Sequence, residues 1–547
     1  MRAWWVIVHQ SVQKPPIKRS VQMTMPAAPR HHSFTGRDLP WLVDAQAENR
    51  PDKIFIAWEP FTGPRRSWTY REFALETRRY AAGLAERGVA KGDFVTIHLE
   101  NCPEFLIAWH ACSRLGAIAV TTNTRSAAEE VEYFVSHSRS TVAITQPKFL
   151  DLFRDMKLGL LVCVDVDGDE VKALPNGVVR FTDLRGDANK APERAADPMH
   201  PNSVQYTSGT TSRPKGVVWT HANALWSGKV NATHAQLTSD DVHMVYFPLF
   251  HTNALAWSML ATLWSGGTAV LLPRFSASRF WEIALRHKCT WAHMVMFTLR
   301  ALENQPVPDK HYFRLWGGAG DIKSVRDRWG IKTIGWYGMT ETVSQCIASE
   351  RTFFGPEFSM GYPVPEYEIS VRRDDGNPVE FGETGALWIK GIPGLSLFQG
   401  YLNDPAATAA SFDDDGWFET GDQVTPLANG HVFFSGRAKD MLKVGAENVA
   451  AIEIESVILR ASGVTEVAVV GKPDPMLDEV PVAFVVAKTP GPDLAAAIHG
   501  LCNQALADFK RPREVIFVEE LPKGLMDKVL KKELRSRLTD PVAEGGK

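Results

Sequence analysis

Eleven consecutive residues, Tyr206-Thr207-Ser208-Gly209-Thr210-Thr211-Ser212-Arg213-Pro214-Lys215-Gly216, concentrate hydroxyls, glycines and one lysine. Backbone N–H groups freed by glycine donate to phosphate oxygens, as do Ser and Thr hydroxyls, and Lys215 adds a compact positive charge. The string is therefore suited to cradling a polyphosphate. It is not a Walker A loop, because no Ser or Thr follows the lysine and strand-like Val217-Val218-Trp219 comes next instead of a helix. A shorter fragment would read as a Ser/Thr-rich surface turn; the whole string reads as a phosphate site, set after a polar loop and before a strand.

The elements that must position such a loop alternate along the chain. SWTYREFALETRRYAAGLAERGV has apolar residues at helical spacing with Gly88 as its stop, and KGDFVTIHLEN follows as turn and buried strand. EFLIAWHACSRLGAIAVTTN repeats the pattern, with a helix ending near Gly116 and another strand, and a similar alternation returns over 221–300. Such alternation predicts an α/β sheet with crossover helices. Past Gly361, short strands and turns such as Asp374-Asp375-Gly376-Asn377-Pro378 predict a small β-rich subdomain. A boundary near Gly436 to Asp440 precedes a small α+β unit with a helix over IEIESVILRASG, strands over VTEVAVVGK and VPVAFVVA, and a final helix. The expected division is a flexible leader over 1–33, a large domain over 34–436 and a small mobile domain over 437–547, with Met23 or Met25 as an alternative start.

At 547 residues, 44% hydrophobic and 22% charged, the chain has ordinary globular composition and room for several folding units. A net charge of −3 without long basic blocks gives no footing to nucleic acid or an anionic membrane surface. No apolar run reaches the roughly 18 to 20 residues that span a bilayer. Six scattered cysteines, with no CxxC pair, fit reduced and mostly buried thiols in the cytoplasm and supply no zinc site.

The phosphate string resembles that of the adenylate-forming (AMP-binding) superfamily of acyl-CoA synthetases, peptide-synthetase adenylation domains and luciferases. The resemblance continues in order through Tyr337-Gly338-Met339-Thr340-Glu341, Gly416-Trp417-Phe418-Glu419-Thr420-Gly421-Asp422, Gly436-Arg437-Ala438-Lys439-Asp440 and Lys443-Val444-Gly445-Ala446-Glu447-Asn448-Val449. It covers roughly residues 34 to 540. It implies a carboxylic acid, ATP, Mg2+ and coenzyme A as substrates and cofactors, with adenylation of the acid followed by thioester formation. Leu99-Glu100-Asn101-Cys102-Pro103-Glu104-Phe105, the Thr211–Lys215 segment and Gly391-Ile392-Pro393-Gly394 look most like the crotonobetaine/carnitine-CoA ligase-like subgroup.

By this resemblance Thr207, Ser208, Gly209, Thr210, Thr211 and Lys215 hold phosphate, Glu341 holds magnesium, and Thr340 approaches the α-phosphate beside Gly338 and Met339. Asp422 accepts from both ribose hydroxyls and Arg437 donates nearby. Gly317-Gly318-Ala319 forms a backbone shelf for adenine and acyl phosphate, with Tyr337 stacked on the base. Lys528, in Leu521-Pro522-Lys523-Gly524-Leu525-Met526-Asp527-Lys528-Val529-Leu530, is the catalytic cation, joined by Thr207 and Glu341. The family usually has Gly before this lysine; Asp527 is an equally good helix N-cap but can tether the ammonium. Lys439 is the hinge of a small domain that swings between half-reactions, and Lys443, Gly445, Ala446 and Glu447 face thioester formation.

The acid pocket is expected from His251, Asn253 and Trp257, within Phe250-His251-Thr252-Asn253-Ala254 and the residues after it, together with Gly335 and Trp336. Trp336 stands where many relatives have a small residue, which predicts a short or differently angled pocket. With no carrier-protein attachment pattern after residue 540, free coenzyme A is the expected acceptor. Amide formation, oxidation of the adenylate, and a non-catalytic ATP-binding relative are the alternatives, and a homodimer is an open alternative to a monomer.

Overall fold

The helix expected to stop at Gly88 spans Tyr70–Glu86 and opens on a capping box. Thr69 accepts from the Glu72 N–H, and the Glu72 carboxylate accepts from the Thr69 N–H. The next helix, Pro103–Leu115, begins with proline at its first position and closes on Gly116, whose φ of 74° is the left-handed conformation that ends a helix most easily without a Cβ. Between and after them Phe94–His98, Ile118–Thr121 and Val142–Thr145 pair in parallel. Helices packed against a parallel sheet explain why these strands are near-continuous apolar runs.

This computed structural model describes residues 31–165, 173–207, 213–318, 320–353, 355–437, 441–445, 447–522 and 529–539. Among them, the large domain contains one nine-stranded and one eight-stranded sheet, mostly parallel toward their centres, and a four-stranded antiparallel sheet made by Glu368–Arg372, Gly385–Lys390, Trp417–Pro426 and Val432–Arg437. One apolar core runs through both large sheets and includes the fully buried Trp58, Trp109 and Trp219. The helix Pro103–Leu115 is buried nearly all round, as expected of an element between layers.

The small domain is built on the long antiparallel pair Val464–Asp474 and Asp478–Ala487. Met441–Val444 and Glu514–Phe517 join the second of these strands. Its helix Pro492–Ala505 packs on Ala128–Ser138 of the large domain. All six cysteines are buried free thiols, and burial pushes Cys112 up to about 12. Among the described residues no helix is long and apolar enough to cross a membrane.

The capping box makes a local prediction. Thr69→Ala should lower the urea stability of the large domain by about 1 kcal/mol, while Thr69→Ser, which keeps the acceptor, should leave it near wild type.

Candidate active site

Pairing of two strands places the ends of the phosphate string. Pro201–Thr207 and Lys215–Thr220 are antiparallel, and Thr207 stands directly opposite Lys215. The polar residues before Tyr206 are not a loop: the strand starts at Pro201, and Asn202, Ser203 and Gln205 are buried inside the sheet. Their polarity is met only in part: Asn202 Oδ1 accepts from Ser113 Oγ at 2.6 Å and Gln205 Oε1 lies 3.0 Å from Thr252 Oγ1, whereas Asn202 Nδ2, Ser203 Oγ and Gln205 Nε2 have no hydrogen-bond partner among the described residues. The short strand Gly400–Tyr401 covers the other edge of Lys215–Thr220.

Thr340 and Glu341 sit on a turn held from many sides. Val343 takes a φ of 63°, a costly conformation for a β-branched residue. Its carbonyl accepts from Trp257 Nε1 at 3.0 Å and Ser227 Oγ at 3.1 Å. Tyr367 donates to the Thr342 carbonyl at 2.8 Å, and Trp219 Nε1 to the Thr340 carbonyl at 2.8 Å. Thr340 Oγ1 lies 3.1 Å from Thr252 Oγ1, and Tyr401 donates to Glu341 Oε1 at 3.0 Å.

Opposite this turn, Asp422 is buried, with its Oδ2 accepting from Tyr337 at 2.6 Å. Its N–H donates to Thr420 Oγ1 at 3.1 Å, and its backbone pairs with that of Arg437. The Phe434 ring lies 6.5 Å from Tyr337 and 25° from parallel.

A cleft of about 570 Å³ joins these groups. Among the residues expected from sequence, it is lined by Thr207, Lys215, His251, Asn253, Trp257, Gly338, Met339, Thr340, Glu341, Asp422 and Glu447. Gln205, Tyr401, Phe509 and Lys510 line it too, without having been singled out. Their signals were absent locally: Gln205 and Tyr401 are ordinary strand residues, and Phe509 and Lys510 belong to the short 3-10 helix Asp508–Lys510, all brought in by contacts distant in sequence. Ser208, Gly209, Thr210, Thr211, Ala319, Lys439, Ala446 and Lys528 lie outside the described residues.

Asn253 and Trp257 are carried by a wide-turned π-helix, Asn253–Leu260, a feature often found at functional sites. Behind them, Asn253 Oδ1 lies 2.6 Å from His293 Nδ1, and burial pushes that imidazole down to about 3. Trp336 packs against His293, Trp291 and Trp257, with centroid distances of 4.6, 5.8 and 6.3 Å. Its six-membered ring lies against Gly317, where a Cβ would come within 1.7 Å of the indole. At Gly318 a Cβ would meet the Met294 carbonyl at 1.8 Å, and at Gly335 the Ser359 carbonyl at 2.1 Å. Two of these glycines thus admit neighbouring backbone and one admits Trp336.

The small domain reaches the cleft through the hairpin Met441–Val444 and Glu447–Ala450. Gly445 turns it with a φ of 64°, and the Lys443 N–H donates to Glu479 Oε2 at 3.0 Å. Glu447 Oε2 lies 3.1 Å from His251 Nε2. Burial opposes charging either group. The attraction between them outweighs it, so the His251 pKa is raised and the Glu447 pKa lowered.

Among the described residues no cluster of three or more His, Cys, Asp or Glu could enclose a metal. Glu341 alone fits magnesium, which commonly takes one or two carboxylates and completes its shell with water and substrate phosphates.

The AMP-binding enzyme family model matches residues 43–402, and the AMP-binding enzyme C-terminal domain matches 453–528. The chain belongs to the AMP-binding enzyme family. It is 32% identical over 513 residues to a crotonobetaine/carnitine–CoA ligase of Salmonella paratyphi A, covering 91% of this chain and 99% of that relative. It also resembles the o-succinylbenzoate CoA synthetase of Bacillus subtilis in two forms. A double mutant bound to a product analogue, OSB-NCoA, superposes with a TM-score of 0.78 at 29% identity. The same enzyme in complex with AMP gives 0.63 at 28% identity, and both comparisons cover 91% of this chain and 98% of that one.

The His251–Glu447 pair makes the seating of the small domain pH-dependent. The raised imidazole supports the seated arrangement fully below its ordinary value of 6.5, and that support is lost as pH rises through the raised value. The lowered carboxylate contributes above its ordinary 4.5 and is lost as pH falls through its depressed value. Energy transfer between dyes on the two domains should therefore peak at mildly acidic pH and fall toward alkaline pH. His251→Gln should remove the alkaline fall.

Proposed function

We propose that the chain is an ATP-dependent carboxylic acid:coenzyme A ligase that forms an acyl-adenylate with release of pyrophosphate, then transfers the acyl group to coenzyme A with release of AMP. Thr207, Lys215 and the residues between them hold the phosphates, and Thr340 lies beside the α-phosphate. Glu341 holds the magnesium ion, which supplies charge neutralisation to the phosphates when bound. Asp422 and Arg437 hold the ribose, with Tyr337 beside the base. Lys528 neutralises charge while carboxylate and phosphate, both anions, are brought together, and a preorganised cation aimed there is worth on the order of 10²- to 10³-fold in rate.

One observation carries this reading: the small domain inserts Glu447 into the same cleft that holds Glu341 and Asp422, with strand Met441–Val444 at its mouth. A hairpin in that place is poised for the second half-reaction. The difference between the two o-succinylbenzoate synthetase forms supports this, since one enzyme at nearly equal identity superposes better in its OSB-NCoA complex than in its AMP complex. Reduced, buried thiols support a cytoplasmic location.

The substrate is a short or compact acid. Trp336 and His293 close off the volume behind Asn253 and Trp257, and the indole is wedged between aromatic rings and Gly317. A long acyl chain has no path there without displacing packed rings.

The following measurements test the proposal. Coenzyme A-dependent release of AMP with an acid panel from acetate to palmitate should favour short or compact acids. Trp336→Ala should raise kcat/KM for longer acids by at least about tenfold, whereas strong palmitate turnover by wild type would refute the pocket reading. Lys528→Ala should abolish acid-dependent exchange of labelled pyrophosphate into ATP, yet still convert supplied acyl-adenylate to thioester. Lys443→Ala should do the reverse, and equal failure of both variants in both assays would rule out a two-arrangement mechanism. AMP release driven by an amine or by oxygen instead of coenzyme A would favour the other acceptors, and absence of exchange a non-catalytic relative.

A further inference from the structure

Tyr401 touches both charged groups assigned to the phosphates. It occupies the two-residue strand Gly400–Tyr401, which pairs antiparallel with Lys215–Thr220 so that Tyr401 lies opposite Val217. Lys215 is two residues from Val217 and therefore on the same face, within diagonal reach of a large side chain. The Lys215 ammonium accordingly sits over the Tyr401 ring, 4.5 Å from its centroid. The Tyr401 hydroxyl donates to Glu341 Oε1 at 3.0 Å. All three side chains line the cleft. Phe398 supports the ring from behind at 4.8 Å between centroids.

Strand and turn converge here from three distant segments, and a single phenol joins them. An ordinary phenol is un-ionised at neutral pH, so the Tyr401 hydroxyl is available there as a donor. Carboxylates that bind metals are commonly oriented by such an outer hydrogen bond, and a cation held over an aromatic face is fixed without being neutralised.

We propose that Tyr401 is a positioning residue for magnesium-bound ATP, its hydroxyl orienting the Glu341 carboxylate toward the phosphate-bound ion and its ring holding the Lys215 ammonium toward the same phosphates. The proposal rests on the reading of the cleft as a nucleotide site. Tyr401→Phe keeps the ring and removes only the donor. Tyr401→Leu removes both.

Calorimetric binding without any acid tests it on the full chain. Tyr401→Phe should weaken magnesium–ATP binding by about tenfold, the lower end for loss of an outer partner to a metal ligand, with AMP binding in EDTA unchanged. Tyr401→Leu should in addition weaken binding of ATP in EDTA, because the lysine loses its support. Magnesium–ATP binding by Tyr401→Phe indistinguishable from wild type would overturn the proposal. An equal loss of AMP and magnesium–ATP affinity would also overturn it, since that outcome marks a merely structural residue. Failure of wild type itself to bind magnesium–ATP would instead overturn the nucleotide reading of the cleft.

Discussion

The geometry of the cleft depends on a lysine that is almost out of water. Lys510, from the small domain, is 6% exposed and lies between Glu130 of the large domain and Glu453 of its own. Burial works against its charge, but Glu453 and Glu130 outweigh that penalty and raise its pKa. Removing one partner of such a buried pair typically costs 3–5 kcal/mol, roughly, because a charge is left without compensation. The exposed pairs around it, Arg460–Glu129 and Arg125–Asp508, are each worth only about 0–1 kcal/mol. Lys510 therefore decides how the small domain is seated, and with it where Glu447 lies.

An ionic contact suits a domain proposed to exchange positions. An apolar interface of equal strength would expose a hydrophobic patch whenever the domains parted. Lys510, Glu130 and Glu453 would regain hydration on separation, which offsets much of the lost attraction. The contact is thus specific in the seated arrangement and inexpensive to leave. Another contact, His251 with Glu447, follows the same logic inside the cleft.

Legibility from sequence followed the range of each interaction. The helix end at Gly116 could be read because a cap is decided within a few residues, whereas the equally local box of Thr69 with Glu72 was not singled out. The string Tyr206 to Gly216 stood out because its hydroxyls and glycines are contiguous. Lys510 did not, since one partner is 380 residues away and the other 57. The strand Pro201–Thr207 was hidden for a related reason: its buried Asn202 and Gln205 look like loop residues until Ser113 and Thr252 are brought beside them. Tyr401 gave no sign either, because its role comes from pairing with Lys215–Thr220 and from the turn at Glu341. The π-helix at Asn253 has no periodicity signal of its own within an apolar segment.

Trp336 was legible as a residue but not as a packing arrangement. Size alone suggests that any bulky side chain there would shorten the pocket. The structure adds a condition: the indole can lie where it does only because Gly317 has no Cβ, so the two positions act as one steric unit. Any side chain at 317 would first have to displace a ring already confined by His293, Trp291 and Trp257. A smaller residue at 336 displaces nothing and leaves open volume bounded by the neutral His293. In the proposed acid pocket the two positions respond differently to change: truncation at 336 opens volume at the cost of a cavity, whereas a side chain at 317 strains the aromatic packing itself.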